Sequence, residues 1–82
     1  MQILLFGPAK DALDGQSSIE VAIDKDITVS ELRLLVSAQF PALAHILSQS
    51  IFGVNNKLVP KATEATTNVI GPIVLVPPVS GG

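Results

Sequence analysis

The stretch Ser18-Ile19-Glu20-Val21-Ala22-Ile23-Asp24-Lys25-Asp26-Ile27-Thr28-Val29-Ser30-Glu31-Leu32 changes its hydrophobic period in mid-course. Up to Asp24 the residues alternate, with Ile19, Val21 and Ile23 on one side and Ser18, Glu20 and Asp24 on the other. A two-residue period predicts a half-buried strand. From Thr28 the period is helical: Leu32, Leu35, Val36 and Phe40 recur at i, i+3, i+4 and i+8, which places them on one face of a helix. The junction is itself a start signal. Thr28-Val29-Ser30-Glu31 has the form of a capping box, in which the Thr28 hydroxyl accepts the Glu31 backbone N–H and the Glu31 side chain reaches back to the Thr28 N–H. Ile27 and Leu32 stand where a hydrophobic staple closes. Pro41 disfavours helical geometry at Phe40 and ends the helix. A short further helical turn is predicted over residues 42–47, with Pro41 at its first position.

Strand signals lie on both sides. Ile3-Leu4-Leu5-Phe6 is an apolar run closed by Gly7-Pro8, as in a buried strand. Asp14-Gly15 marks a turn before the alternating segment, so the two predict a hairpin with a long loop. Residues 50–54 read as a strand, Asn55-Asn56 as a tight turn, and Leu58-Val59 as a short return strand ended by Pro60. Residues 61–68 are polar and threonine-rich, a loop. Ile73-Val74-Leu75-Val76 is a second buried strand, stopped by Pro77-Pro78. The two runs without polar alternation, residues 3–6 and 73–76, are expected at the centre of the sheet. One helix covering one sheet face is an α+β two-layer arrangement. A mixed sheet packed on one main helix is the ubiquitin-like, or β-grasp, roll. The pattern predicts a β-grasp domain over residues 1–78 and a flexible tail over 79–82, and leaves the strand order open.

Composition bounds what such a chain can do. With 82 residues one domain is expected, with one modest core and no deep substrate pocket. The absence of cysteine removes disulfides, thiolate nucleophiles and Cys-ligated metals, and a single histidine excludes a His-based metal cluster. A net charge of −2 with one arginine argues against nucleic acid as a partner. Charged residues are 15% of the chain, against roughly 25% in typical domains. A small domain has proportionally more surface to cover, so some of that surface is expected to be apolar and to meet a partner. The N-terminus lacks a basic start, and the apolar stretch 69–79 is broken by Gly71, Pro72, Pro77 and Pro78. No membrane is expected as a partner, and the expected location is cytoplasmic.

No side-chain constellation for catalysis stands out. His45 sits among apolar neighbours with no Ser or Cys beside it in sequence to form a nucleophile pair. Asp11, Asp14, Asp24 and Asp26 lack metal-loop spacing and read as turn and loop residues. Glu31 is accounted for as a cap, and Gly7 lies outside any glycine-rich phosphate motif. What remains is the ending Pro77-Pro78-Val79-Ser80-Gly81-Gly82. Two prolines favour an extended stem. Two glycines give a tip without side chains that can enter a narrow channel in another protein. The tip carries an α-carboxylate, a poor electrophile until it is activated, commonly as an acyl-adenylate. Sulfur can then displace AMP to leave a thiocarboxylate, or an amine can displace it to form an isopeptide bond.

The chain resembles the small, sulfur-carrier subunits of molybdopterin synthases over almost its whole length. The residues that carry the resemblance are the ending Val76-Pro77-Pro78-Val79-Ser80-Gly81-Gly82, the opening Ile3-Leu4-Leu5-Phe6-Gly7, the helix start Thr28-Val29-Ser30-Glu31-Leu32-Arg33, and Gly53-Val54-Asn55-Asn56-Lys57-Leu58-Val59. It departs from that family at Ile70-Gly71-Pro72, where an acidic Gly-Asp-Glu turn is usual. The resemblance implies that Gly82 becomes a glycyl-adenylate and then a 1-thioglycine. The adenylation would be performed by a ubiquitin-activating-type adenylyltransferase with ATP and Mg²⁺, and no cofactor would be permanently bound. Gly81, Ser80, Val79, Pro78 and Pro77 would thread into the large catalytic subunit. There sulfur would pass to cyclic pyranopterin monophosphate, two transfers building the molybdopterin dithiolene. Catalytic side chains would belong to that large subunit, in a heterotetramer of two small and two large chains. Phe6, Leu58 and Val76, with Lys10 at the rim, are the interface residues the resemblance implies. Three alternatives stay open: a carrier for thiamine synthesis or tRNA thiolation, a ubiquitin-like modifier of lysines, and an interaction domain with an inert tail.

Overall fold

The computed structural model describes residues 1–23 and 25–77. Their elements run β1 (Gln2–Leu5), α1 (Pro8–Ala12), β2 (Ser18–Glu20), α2 (Val29–Gln39), a 3-10 turn (Pro41–Leu43), α3 (Ala44–Leu47), β3 (Ile51–Val54), β4 (Lys57–Val59), a 3-10 helix (Lys61–Thr66) and β5 (Ile73–Val76). The five strands form one mixed sheet in the order β2-β1-β5-β3-β4. β1 pairs with β5 in parallel, and the other three pairings are antiparallel. The two uninterrupted apolar runs are therefore the two inner neighbours β1 and β5, and α2 lies across one face. This is the α+β, β-grasp roll.

The local signals act as their chemistry dictates. Thr28 caps α2 in both directions: Glu31 N–H donates to Thr28 Oγ1 at 3.3 Å, and Thr28 N–H donates to Glu31 Oε1 at 3.0 Å. Ile27 and Leu32, the staple pair, are both buried. Asn55 and Asn56 join β3 to β4 with φ +52° and +69°, the two positive values that a two-residue hairpin turn requires. Gly71 and Pro72 brace that turn. Asn55 N–H donates to the Pro72 carbonyl at 2.9 Å, and a Cβ on Gly71 (φ +71°) would lie 2.9 Å from Asn55 Oδ1. Pro72, which has no N–H, accepts a bond and leaves strand pairing to begin at Ile73.

Four elements differ from the sequence reading. β2 stops at Glu20 rather than running to 24. Val21 still donates its N–H to the carbonyl of Met1, the residue before β1, at 2.8 Å. The long hairpin loop contains α1, whose Ala9 is fully buried. The polar segment predicted as a loop winds into the 3-10 helix Lys61–Thr66 and buries Glu64. The short helical turn over 42–47 divides into the 3-10 turn Pro41–Leu43 and α3.

The core lies between α2 and the inner face of the sheet. Ile3 and Leu5 of β1, Phe52 and Val54 of β3, and Ile73 and Leu75 of β5 pack with Leu32 and Val36 of α2. Burial of each such side chain stabilises the fold by about 1.5–3 kcal/mol. At the edge of this core Arg33 holds Glu64 through Nε–Oε1 at 3.0 Å and Nη2–Oε2 at 2.5 Å. Two further N–H groups donate to the Leu47 and Ser50 carbonyls, and its guanidinium lies 5.2 Å from the Phe52 ring centroid. One side chain thus ties α2 to the 3-10 helix and to the connection entering β3. Among the described residues no buried side-chain polar atom lacks a hydrogen-bond partner.

Candidate functional site

Strand alternation sends one set of side chains to α2 and the other to the opposite face. On that opposite face Leu4 is registered with Val74, Val74 with Gly53, and Gly53 with Leu58. One row therefore crosses β1, β5, β3 and β4. Ile51 is registered with Val76 in the next row, and Phe6 follows Leu5 at the end of β1. Leu4, Phe6 and Leu58 are 41%, 51% and 63% exposed, while Ile51, Val74 and Val76 are half-buried. Gly53 keeps this face flat: a Cβ there would stand 3.2 Å from Val74 Cγ2 and 3.9 Å from Leu58 Cδ2. A groove of about 330 Å³ continues beside Leu58, lined by Val59, Pro60, Thr67 and the exposed Ile70 among others.

Of the residues singled out from sequence, Phe6, Leu58 and Val76 lie on this one sheet face, and Lys10 is exposed on α1. Pro77, the first residue after β5, is half-buried. Pro78, Val79, Ser80, Gly81 and Gly82, and the boundary between a folded domain and a tail at 79–82, lie outside the described residues. Leu4, Val74 and the gap left by Gly53 belong to the same face and were not singled out. The available signal was the lack of polar alternation in residues 3–6 and 73–76, which left apolar residues at the outward positions Leu4, Phe6, Val74 and Val76.

His45 is exposed on α3, with Nε2 3.5 Å from Gln49 Nε2. Glu31 is held by its cap: the Thr28 backbone N–H, then the Thr28 hydroxyl, keep its carboxyl below the usual carboxylate range. Among the described residues no three His, Cys, Asp or Glu side chains gather as metal ligands. Nor is any helix there long and apolar enough to cross a membrane.

A five-stranded mixed sheet on one main helix, whose central strand β5 is the last described element, defines a ubiquitin-like protein of the β-grasp class. The sequence model of the ThiS family matches residues 3–82, and the chain belongs to that family of ubiquitin-like sulfur carriers. In fold it is similar to SAMP1 from Haloferax volcanii, with a TM-score of 0.68 over 99% of this chain and 97% of that one, at 23% identity. No curated protein matches the chain.

Proposed function

We propose that this chain is the small, sulfur-carrier subunit of a molybdopterin synthase, and that Gly82 is its reacting residue. The observation that carries the reading is the joining of a ThiS-family fold to the sequence Pro77-Pro78-Val79-Ser80-Gly81-Gly82. The Gly82 carboxylate attacks the α-phosphorus of ATP on an activating enzyme and pyrophosphate leaves. Sulfide sulfur then attacks the acyl carbon, AMP leaves, and a thiocarboxylate remains. Its sulfur is a soft nucleophile that, on the large subunit, attacks a side-chain carbon of cyclic pyranopterin monophosphate as a carbon–oxygen bond there breaks; water then cleaves the acyl–sulfur bond, leaving sulfur on the pterin and a carboxylate at the terminus. The apolar sheet face bearing Leu4, Phe6, Leu58, Val74 and Val76 is the docking surface for both enzymes in turn. ATP and Mg²⁺ belong to the activating enzyme.

The Pro77-Pro78-Val79-Ser80 stem supports molybdopterin synthesis over thiamine synthesis or tRNA thiolation, which would use the same tip chemistry. The test is intact-mass measurement after incubation with a purified activating enzyme, ATP, Mg²⁺ and sulfide, followed by addition of the large subunit and cyclic pyranopterin monophosphate. The expected result is replacement of one oxygen by sulfur at Gly82, then loss of that sulfur as molybdopterin forms. A thiocarboxylate that the large subunit cannot discharge would assign the chain to another carrier pathway. Reductant-resistant isopeptide adducts in place of thiocarboxylate would assign it to protein modification.

A further inference from the structure

Charge is sorted across the sheet. Every acidic side chain except Glu64 lies in residues 1–31, and Glu64 is buried against Arg33. One outer strand, β2, carries Glu20, and the other, β4, carries Lys57. The groove of about 330 Å³ beside Leu58 lies at that second edge. Its lining comes from two segments: Lys57, Leu58 and Pro60 at the edge, and Thr67, Asn68 and Ile70 in the stretch that leads to β5. The second segment is pinned. Val29 N–H donates to the Thr67 carbonyl and Val69 N–H to the Ile27 carbonyl, both at 2.9 Å, so Asn68 bridges to Thr28 at the start of α2. The groove is therefore preformed, and an occupant need not order it.

The lining selects the occupant. Leu58 and Ile70 are 63% and 64% exposed, so covering them with an apolar group is favourable. The Thr63 and Thr67 hydroxyls already donate to the Pro60 and Thr63 carbonyls, at 3.0 and 2.8 Å. None of the lining residues is acidic, and Lys57, which is exposed, is the cation among them. The complementary group is an apolar side chain with a carboxylate beside it. β4 has no strand beyond it among the described residues, so an extended segment can lie along this edge. A second copy of this chain fits poorly. Pairing edge to edge about a two-fold axis would bring the two Lys57 side chains near one another, the means by which lysines guard sheet edges against self-association.

We propose that this groove docks an acidic, extended segment of a protein partner, which seats an apolar side chain beside Leu58 and Ile70 and sets a carboxylate against Lys57. Leu58 belongs both to the groove and to the outer sheet face, so the segment is part of an enzyme that docks on that face. The identity of the partner as such an enzyme rests on the sulfur-carrier reading; the chemistry of the groove does not.

The test is calorimetric titration of the full chain with the purified activating enzyme and with the purified large subunit. Parent, Lys57→Glu, Ile70→Ser and Lys25→Glu are compared. Lys25 is exposed and does not line the groove, so Lys25→Glu makes the same charge change elsewhere. For at least one enzyme, Lys57→Glu should weaken binding by about fivefold or more, and Ile70→Ser by about tenfold. Added salt should weaken the parent more than Lys57→Glu. Lys25→Glu should bind as the parent does. Parent affinity of Lys57→Glu and Ile70→Ser for both enzymes, or an equal loss in Lys25→Glu, would overturn the proposal. If the parent binds neither enzyme, the carrier reading fails, and an NMR titration decides the groove by itself. Its probes are a capped hexapeptide of alternating aspartate and leucine, and the same peptide with lysine in place of aspartate. The acidic peptide should move the amide resonances of Leu58 and Ile70, and the basic one should leave them in place. No movement, or equal movement with both, would overturn the proposal.

Discussion

Arg33 on α2 and Glu64 on the 3-10 helix Lys61–Thr66 meet through two nearly parallel N–H···O bonds, with only 18% and 6% of their side chains exposed. The guanidinium also satisfies two backbone carbonyls and faces the Phe52 ring. Removing one partner strands a charge in a poorly solvated place. Glu64→Gln should therefore destabilise the fold by about 3 kcal/mol, measured by urea denaturation. Arg33→Lys should be nearly as costly, because an ammonium cannot reproduce the planar fork. A loss below about 0.5 kcal/mol in both would place the pair among surface ion pairs, whose worth is small.

At the N-terminal end of α2 the capping box gives the backbone N–H groups of Thr28 and Glu31 each the other's side chain as acceptor. Thr28→Ala should lower stability by about 1 kcal/mol and leave sulfur loading intact at temperatures where the variant is folded. Normal stability with lost loading would place the start of this helix at a functional contact.

Glu31 makes the same cap dependent on pH. Its carboxyl is held below the usual range in the folded chain, first by the Thr28 backbone N–H and then by the Thr28 hydroxyl. A carboxyl lowered by folding contributes fully above its unfolded value, and the contribution is lost as pH falls through the folded value. Glu31→Gln keeps an acceptor but cannot titrate. The stability gap between parent and variant should stay constant near neutrality and narrow on acidification, as followed by thermal melts across pH. A gap constant to the acid end would exclude the carboxylate's role.

Leu58 is 63% exposed on the outer sheet face, so Leu58→Asp should leave the circular dichroism spectrum and melting temperature close to the parent's. Binding to the large subunit should weaken by at least about tenfold if Leu58 is one of the anchors that dominate such interfaces. Calorimetric titration showing unchanged affinity would move the docking surface off this face.

Deleting Gly82 should abolish adenylation and sulfur loading, because the new carboxyl carbon sits back by about 3.5 Å of extended chain. A one-residue extension beyond Gly82 should fail in the same way. Both variants should melt like the parent, since the buried core residues of the described chain end at Leu75. Molybdopterin formation by the truncated protein with purified partners would reject the carrier mechanism.

What was legible in the sequence is what neighbours within a few residues decide. The capping box, the staple of Ile27 with Leu32, the asparagine turn at 55–56 and the proline stop after Val76 each act across at most five residues. The amino acids alone therefore specify them. The proposed role of the ending rests on the same kind of information, the covalent order Pro-Pro-Val-Ser-Gly-Gly of residues 77–82, of which 78–82 lie outside the described residues. The segment 61–68 misled because its helical turns are held by a partner distant in sequence: Glu64 is buried against Arg33, and a polar run read by itself carries no sign of that.

Tertiary structure alone decided the rest. A period of two gives a strand two faces without saying which is covered. Only the packing of α2 against Ile3, Leu5, Phe52, Ile73 and Leu75 leaves Leu4, Leu58 and Val74 to the outside. Nor does any local signal insert the last strand between the first and third. That placement follows from burying the two most apolar runs together beneath one helix. It is also what brings Gly7 against Pro77, residues 70 positions apart in sequence, where the chain turns off from β1 beside the end of β5.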